Sequence, residues 1–288
     1  MASEPFKFLV GPNRKEYFIH KEAFIAISPV LRVLITGRMR EAREGVAVWE
    51  DVEECHFLNL CEFAYFGKYT APRMKDAPLT TPLPYRPEGE AENVYGDHGR
   101  KTLLVLDNFA RRFFDKYKSP RGDSIEYKRN GIGWRDGTEY FLRHANMYIL
   151  GDRYDVETLR AEALFHIAKG LANTHDTWDN IPAFAKLARL TYSNTREHDQ
   201  LRELLSKYVS LRGDDLFLHP DIESLRNEYP DFESDIMGPI MELHRQESER
   251  LKNREKRFKR KVPENEDHPE EPSTKRPTRR STRRAAKR

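Results

Sequence analysis

Phe18-Ile19-His20-Lys21-Glu22-Ala23-Phe24, with Ser28-Pro29-Val30-Leu31 close behind, is the stretch on which the fold turns. Its first residues end an extended run, Glu16 to His20, whose aromatic and β-branched content favours a strand. Phe6 to Val10 is a second such run, and Gly11-Pro12-Asn13 between them reads as a tight turn, so a hairpin opens the fold. Downstream, Glu22 to Ile27 reads as a short helix halted near Ser28, because the residue before a proline avoids the helical region. Pro29 then opens a second helix carrying Val30, Leu31 and Leu34, which Gly37 ends. Val46 to Trp49 is a further strand. Asp51 precedes the next helix with Glu54 three residues on, a capping-box spacing, and Phe57, Leu60, Cys61, Ala64 and Tyr65 recur as one buried face.

Residues 71–137 break this rhythm with six prolines and seven glycines, the composition of a loop-rich insertion. Inside it, residues 101–118 place Leu103, Leu106, Ala110, Phe113 or Phe114, and Tyr117 on one side at helical spacing, so this helix is expected to pack onto something. Helical patterns resume over Thr138 to Leu150 and Val156 to Leu171, with Gly151 read as the break between them. Ile181 to Tyr192 and Leu201 to Leu211 are the next two helices, the second stopped at Gly213. A last helix is expected to begin after Pro239 with Ile240 and Leu243 inward, and to become almost wholly charged through Lys261 before Pro263 stops it.

The chain of 288 residues is long enough for one large domain or two modest ones. Charged residues make up 34% of it, and no run approaches the roughly 20 apolar residues of a membrane span. The first twenty residues lack a cationic start followed by an apolar run, so neither a secretory route nor a membrane partner is expected. Two cysteines six residues apart and no Asn-x-Ser/Thr acceptor argue for a reducing compartment, nucleus or cytoplasm. The net charge of +3 conceals a division: from Arg245 onward 17 Lys/Arg stand against 8 Asp/Glu, leaving the body before it at −6. From residue 263 the tail is rich in Pro, Glu, Ser, Thr and Arg with almost no large apolar side chain, and is expected to be disordered.

With these pieces in order, the first 70 residues resemble a BTB (POZ) domain. Phe18 to Phe24 with Ser28-Pro29-Val30-Leu31 is similar to that family's strand, His-Lys, helix and Ser-Pro segment. Gly37-Arg38-Met39-Arg40-Glu41-Ala42, Trp49-Glu50-Asp51-Val52 and Phe57 to Tyr69 resemble its next loop, strand and helix. His144-Ala145-Asn146-Met147-Tyr148-Ile149-Leu150-Gly151-Asp152-Arg153-Tyr154-Asp155-Val156, then Leu159, resembles its closing helix pair, and the set resembles the BTB proteins abundant in filamentous fungi. The resemblance implies an α+β fold of BTB type, a small mixed sheet surrounded by helices. On that reading residues 1–70 form the N-terminal part, 71–137 the insertion, 138–172 the closing helices, 173–243 a helical extension, 244–262 a charged helix and 263–288 a basic tail. It also implies a protein-interaction module that self-associates as a homodimer and has no catalytic activity.

The search for other chemistry yields little. His20, at a strand end, reads as a structural hydrogen-bonding residue. Cys55, His56 and Cys61 suggest zinc, yet on a helix the two cysteines point to different faces, so no metal is assigned. Gly131-Ile132-Gly133 lacks the spacing of a phosphate loop, Arg121-Gly122-Asp123 is a chance tripeptide, and neither a nucleophile elbow nor His-Glu-x-x-His is present. No cofactor is implied, and the chain is read as a non-enzyme.

Two candidate binding segments remain. Met39-Arg40-Glu41 fits the hydrophobic-x-Glu pattern with which some BTB adaptors engage the cullin of a ubiquitin ligase. In the tail, Lys256, Arg257, Lys259, Arg260 and Lys261, then Lys275, Arg276, Arg279 and Arg280, read as a nuclear-import signal or as a patch giving weak, non-specific, salt-sensitive contact with nucleic acid. Three readings stay open: an interaction scaffold, a cullin adaptor, and a nuclear chromatin-associated factor.

Overall fold

Alternation along the first strand sets the architecture. In β1 (Pro5–Val10) Phe6, Phe8 and Val10 are buried and the residues between them are not, so one face of the sheet meets a core. The computed structural model describes residues 4–76, 110–125, 135–173, 181–212 and 219–261. β2 (Lys15–His20) pairs antiparallel with β1, Phe8 opposite Tyr17, and β3 (Val46–Trp49) pairs parallel with it on the other side, Phe8 opposite Ala47. The sheet order is therefore β2-β1-β3. Gly11, at φ +72°, takes the left-handed conformation that lets the hairpin turn, and its N–H donates to the Trp49 carbonyl at 2.9 Å.

Helices α1 (Lys21–Ile27), α2 (Pro29–Thr36) and α4 (Glu54–Phe66) follow the expected order, with Phe24, Leu31, Ile35, Phe57, Leu60 and Phe63 buried. Ser28 separates the first two by capping the second, accepting a hydrogen bond from the Leu31 N–H at 3.0 Å. Three details differ from the sequence reading. Residues 40–44, expected as loop, form a short helix α3 (Arg40–Glu44) closed by Gly45 at φ +68°. Asp51 does not cap α4: its carboxylate is bound by Arg153, Glu54 is held by Lys15 and Tyr17, and the helix starts after Glu53 without a side-chain cap. Tyr65, placed on the buried face by periodicity, is largely exposed, and its hydroxyl lies 2.8 Å from His20 Nδ1.

The insertion is tied at its base and in its middle. Strands β4 (Lys75–Asp76) and β5 (Arg135–Asp136) pair antiparallel and bring its two ends together. Of the helix expected over 101–118, residues 110–114 are helical, with Ala110, Phe113 and Phe114 buried; Leu103 and Leu106 lie outside the described residues, as does Gly131-Ile132-Gly133. Arg121 pairs with Glu162 at 2.7 Å, so the Arg-Gly-Asp tripeptide anchors this segment to the helical body.

The helical body consists of α5 (Thr138–Arg153), α6 (Glu157–Asn173), α7 (Ile181–Asn194), α8 (Gln200–Arg212) and α9 (Pro220–Glu228). α5 packs on α4, α6 and α7, and α7 on α8 and α9. Gly151, expected as a break, lies inside α5. A Cβ there would come within 2.9 Å of Arg160 Cγ and 3.2 Å of the Arg160 backbone nitrogen, so the glycine permits the close approach of α6, and the chain turns later at Asp155, φ +49°. Ser28 Oγ donates to the Tyr154 carbonyl, and the Trp49 and Tyr154 rings stack at 4.2 Å, joining the sheet layer to the helical body.

The final helix α10 (Pro230–Lys261) begins ten residues before its expected start at Ile240, with Pro230 at its first position and Pro239 inside it. Phe232 and Ile236 are fully buried, an apolar pair that fixes the first turns of α10 in the core. The chain divides into two units, Met1–Leu243 and His244–Arg288. Among the described residues no helix is long and apolar enough to cross a membrane. The architecture is α+β, a three-stranded sheet with many helices.

Candidate functional site

Met39, Arg40 and Glu41 sit where α2 hands over to α3. Gly37 ends α2 by donating its N–H to the Val33 carbonyl at 2.8 Å. Met39 then takes extended backbone as the residue before α3, with 57% of its surface exposed. Arg40 is exposed and faces Glu44 at 3.4 Å; Glu41 is half-buried and its carboxylate has no ion pair among the described residues. A large exposed thioether one residue removed from a free carboxylate is an arrangement that can anchor a partner and orient it.

Beside this turn, α2 presents a second apolar surface. Leu31 and Ile35 face the core, which leaves Val30 and Val33, one helical turn apart, 41% and 50% exposed. An open cavity of about 280 Å³ lies at the α1–α2 junction, lined by Ile25, Ala26, Ile27, Ser28, Pro29 and Arg32. β-branched side chains lose little rotamer freedom on contact, so this is a surface suited to a protein partner. Phe18 on the outer sheet face and Phe66 at the end of α4 are also exposed.

A polar cluster is buried where residue 69 meets α5 and α6. The Tyr69 hydroxyl and His144 Nδ1 are 2.5 Å apart, and His144 stacks on His166 with ring centres 4.6 Å apart. Burial raises the Tyr69 pKa well above normal, so the phenol keeps its proton and shares a hydrogen bond with His144 Nδ1. Burial, then the charges of His166 and Arg143, hold the His144 pKa well below its usual value. Glu162 feels burial as an upward push, but hydrogen bonding to His166 and the charge of Arg121 outweigh it and leave the carboxyl below normal. Among the described residues, His144 Nε2 and Glu162 Oε2 are buried without a hydrogen-bond partner.

This cluster predicts a pH dependence with a definite sign. In the unfolded chain His144 titrates near pH ~6.5, whereas the native state refuses the proton, so stability is complete above that pH and falls as pH drops below it. Urea unfolding at pH 7.5 and 5.5 is expected to show the unsubstituted chain losing about 1 kcal/mol more than His144→Gln over this interval. An equal loss in both proteins would exclude His144 as the source.

The structure brings Cys55 and His56 together with Glu53 at the start of α4, all three donor atoms within 4.8 Å of one another, a group in which Glu53 went unnoticed in the sequence because an exposed acidic residue carries no periodic signal. Cys61 is not part of it, and burial pushes its thiol up to about 12. Lys256, Arg257, Lys259, Arg260 and Lys261 lie on α10; Lys275, Arg276, Arg279 and Arg280, with the tail expected to be disordered, fall outside the described residues. Compared with known families, the chain matches no family model, and it has no significant match among curated proteins.

Proposed function

We propose that this chain is a non-enzymatic protein-interaction module of BTB type that associates with a second copy of itself through the α1–α2 surface. The observation that carries the reading is the order β1-β2-α1-α2-α3-β3-α4, with β3 parallel to β1, followed beyond the insertion by the packed pair α5 and α6. That order resembles the BTB arrangement, and the exposed Val30 and Val33 supply an apolar face that self-association would cover. Two differently tagged full-length copies, co-expressed, are expected to co-purify. Recovery of one tag only would remove the self-association reading.

A second reading, the cullin adaptor, is favoured by the exposure of Met39 and by the Glu41 carboxylate, which has no ion pair among the described residues. In the same experiment cullin peptides are expected with the unsubstituted chain and absent from Met39→Ala/Glu41→Ala, while self-capture persists. Cullin recovery unchanged by the double substitution, or absent throughout, would leave the scaffold alone.

A further inference from the structure

Glu53, Cys55 and His56 offer one carboxylate oxygen, one thiol sulfur and one imidazole nitrogen from four consecutive residues at the start of α4. The Cys55 thiol donates to Glu53 Oε2 at 3.5 Å, a hydrogen bond that a metal ion would replace, and the same oxygen lies 3.8 Å from His56 Nδ1. Metal–donor lengths of about 2.0 Å to oxygen or nitrogen and about 2.3 Å to sulfur give a tetrahedron around zinc edges of roughly 3.3–3.6 Å, so the first separation matches and the second needs a few tenths of an ångström of movement. Glu53, with its side chain three-quarters exposed, can supply that movement. The His56 side chain is only 12% exposed, which fixes its ring, and at 3.8 Å its Nδ1 is too far from the carboxylate for a hydrogen bond. An imidazole nitrogen, a carboxylate oxygen and a thiol sulfur within 4.8 Å of one another are an arrangement a metal ion would complete.

We propose that Glu53, Cys55 and His56 form a three-donor site for a zinc ion, with the fourth position open to water. Binding releases the Cys55 thiol proton to solvent, and the resulting thiolate with the Glu53 carboxylate neutralises the two charges of the ion. The donor set of one sulfur, one nitrogen and one oxygen suits zinc over magnesium or calcium, which take oxygen ligands. Arg143, whose charge reaches both Cys55 and His56, and the positive end of α4 oppose a cation, so the site is a moderate binder.

Metal-free full-length protein is titrated with Co²⁺ and with Zn²⁺. One equivalent of Co²⁺ is expected to give a thiolate-to-metal charge-transfer band that Zn²⁺ abolishes, that Cys61→Ser retains and that Cys55→Ser lacks. His56→Gln and Glu53→Gln are each expected to weaken zinc binding by at least about tenfold, since even outer-shell changes cost 10–100-fold at zinc sites. Glu53→Gln lies at an exposed side chain and leaves the core packing untouched. No band in the unsubstituted chain, a band that survives Cys55→Ser, or zinc affinity unchanged in both glutamine variants would overturn the proposal.

Discussion

Phe8→Ala is expected to destabilise the protein by about 3–5 kcal/mol, the range for removing a fully buried aromatic ring from a core that cannot collapse around the space. Phe8 is the ring at which the layers meet. Its centroid lies 5.3 Å from Phe6, 5.4 Å from Phe24, 4.9 Å from Trp49 and 5.2 Å from Phe57, and these four come from β1, α1, β3 and α4. Trp49 in turn stacks on Tyr154, so the hole opens next to the junction with the helical body. Chemical denaturation of Phe8→Ala beside Phe18→Ala checks this. The second ring is mostly exposed on the outer sheet face, and its loss should cost well under the first. Equal losses would mean that the inner face of the sheet is not the core.

Arg202→Ala is expected to cost about 2–4 kcal/mol, through polar groups instead of packing. The Arg202 side chain is buried beneath the end of α7, where its NH2 group donates to the Tyr192 carbonyl at 3.1 Å and the Thr195 carbonyl at 2.6 Å. Nε donates to Thr195 Oγ1 at 3.0 Å, and the guanidinium stands over the Tyr192 ring at 4.4 Å. Asp231, at 3.6 Å, supplies the opposing charge from the start of α10. Removing the guanidinium strands two carbonyls, each worth about 1–3 kcal/mol when buried and unpaired, and leaves the turn after α7 without its clamp. Arg202→Lys keeps the charge but not the fork, and is expected to recover less than half of the loss. A full recovery by lysine would show that charge alone matters there.

What could be read in advance followed from how repetitive each signal is. The opening hairpin announced itself through the aromatic and β-branched content of two runs around Gly11-Pro12-Asn13, and the α1–α2 break through Ser28-Pro29, because a proline restricts its neighbour whatever the tertiary context. α3 was missed because Arg-Glu-Ala-Arg-Glu has no apolar period; its helix follows from propensity and from the Gly45 stop. Gly151 misled because a glycine signals either a chain break or a close helix crossing, and only the position of Arg160 decides between them. Pro239 misled likewise: proline usually opens or ends a helix, yet burial of Phe232 and Ile236 started α10 earlier and carried it past that residue. The Met39 segment was a candidate only through the resemblance to BTB adaptors. The exposure of Val30 and Val33 was not legible, since the same apolar residues would fit a buried face equally well.

Sedimentation equilibrium of the full-length protein measures directly whether the α1–α2 surface joins two copies of the chain, as we propose. The unsubstituted chain is expected to sediment as a dimer. Val30→Asp/Val33→Asp, which places two charges on the exposed face of α2 and leaves Leu31 and Ile35 in the core, is expected to sediment as a monomer that still unfolds in one cooperative transition, at a melting temperature that no longer depends on protein concentration. A monomeric unsubstituted chain, or a dimer that the double substitution leaves intact, would contradict the account.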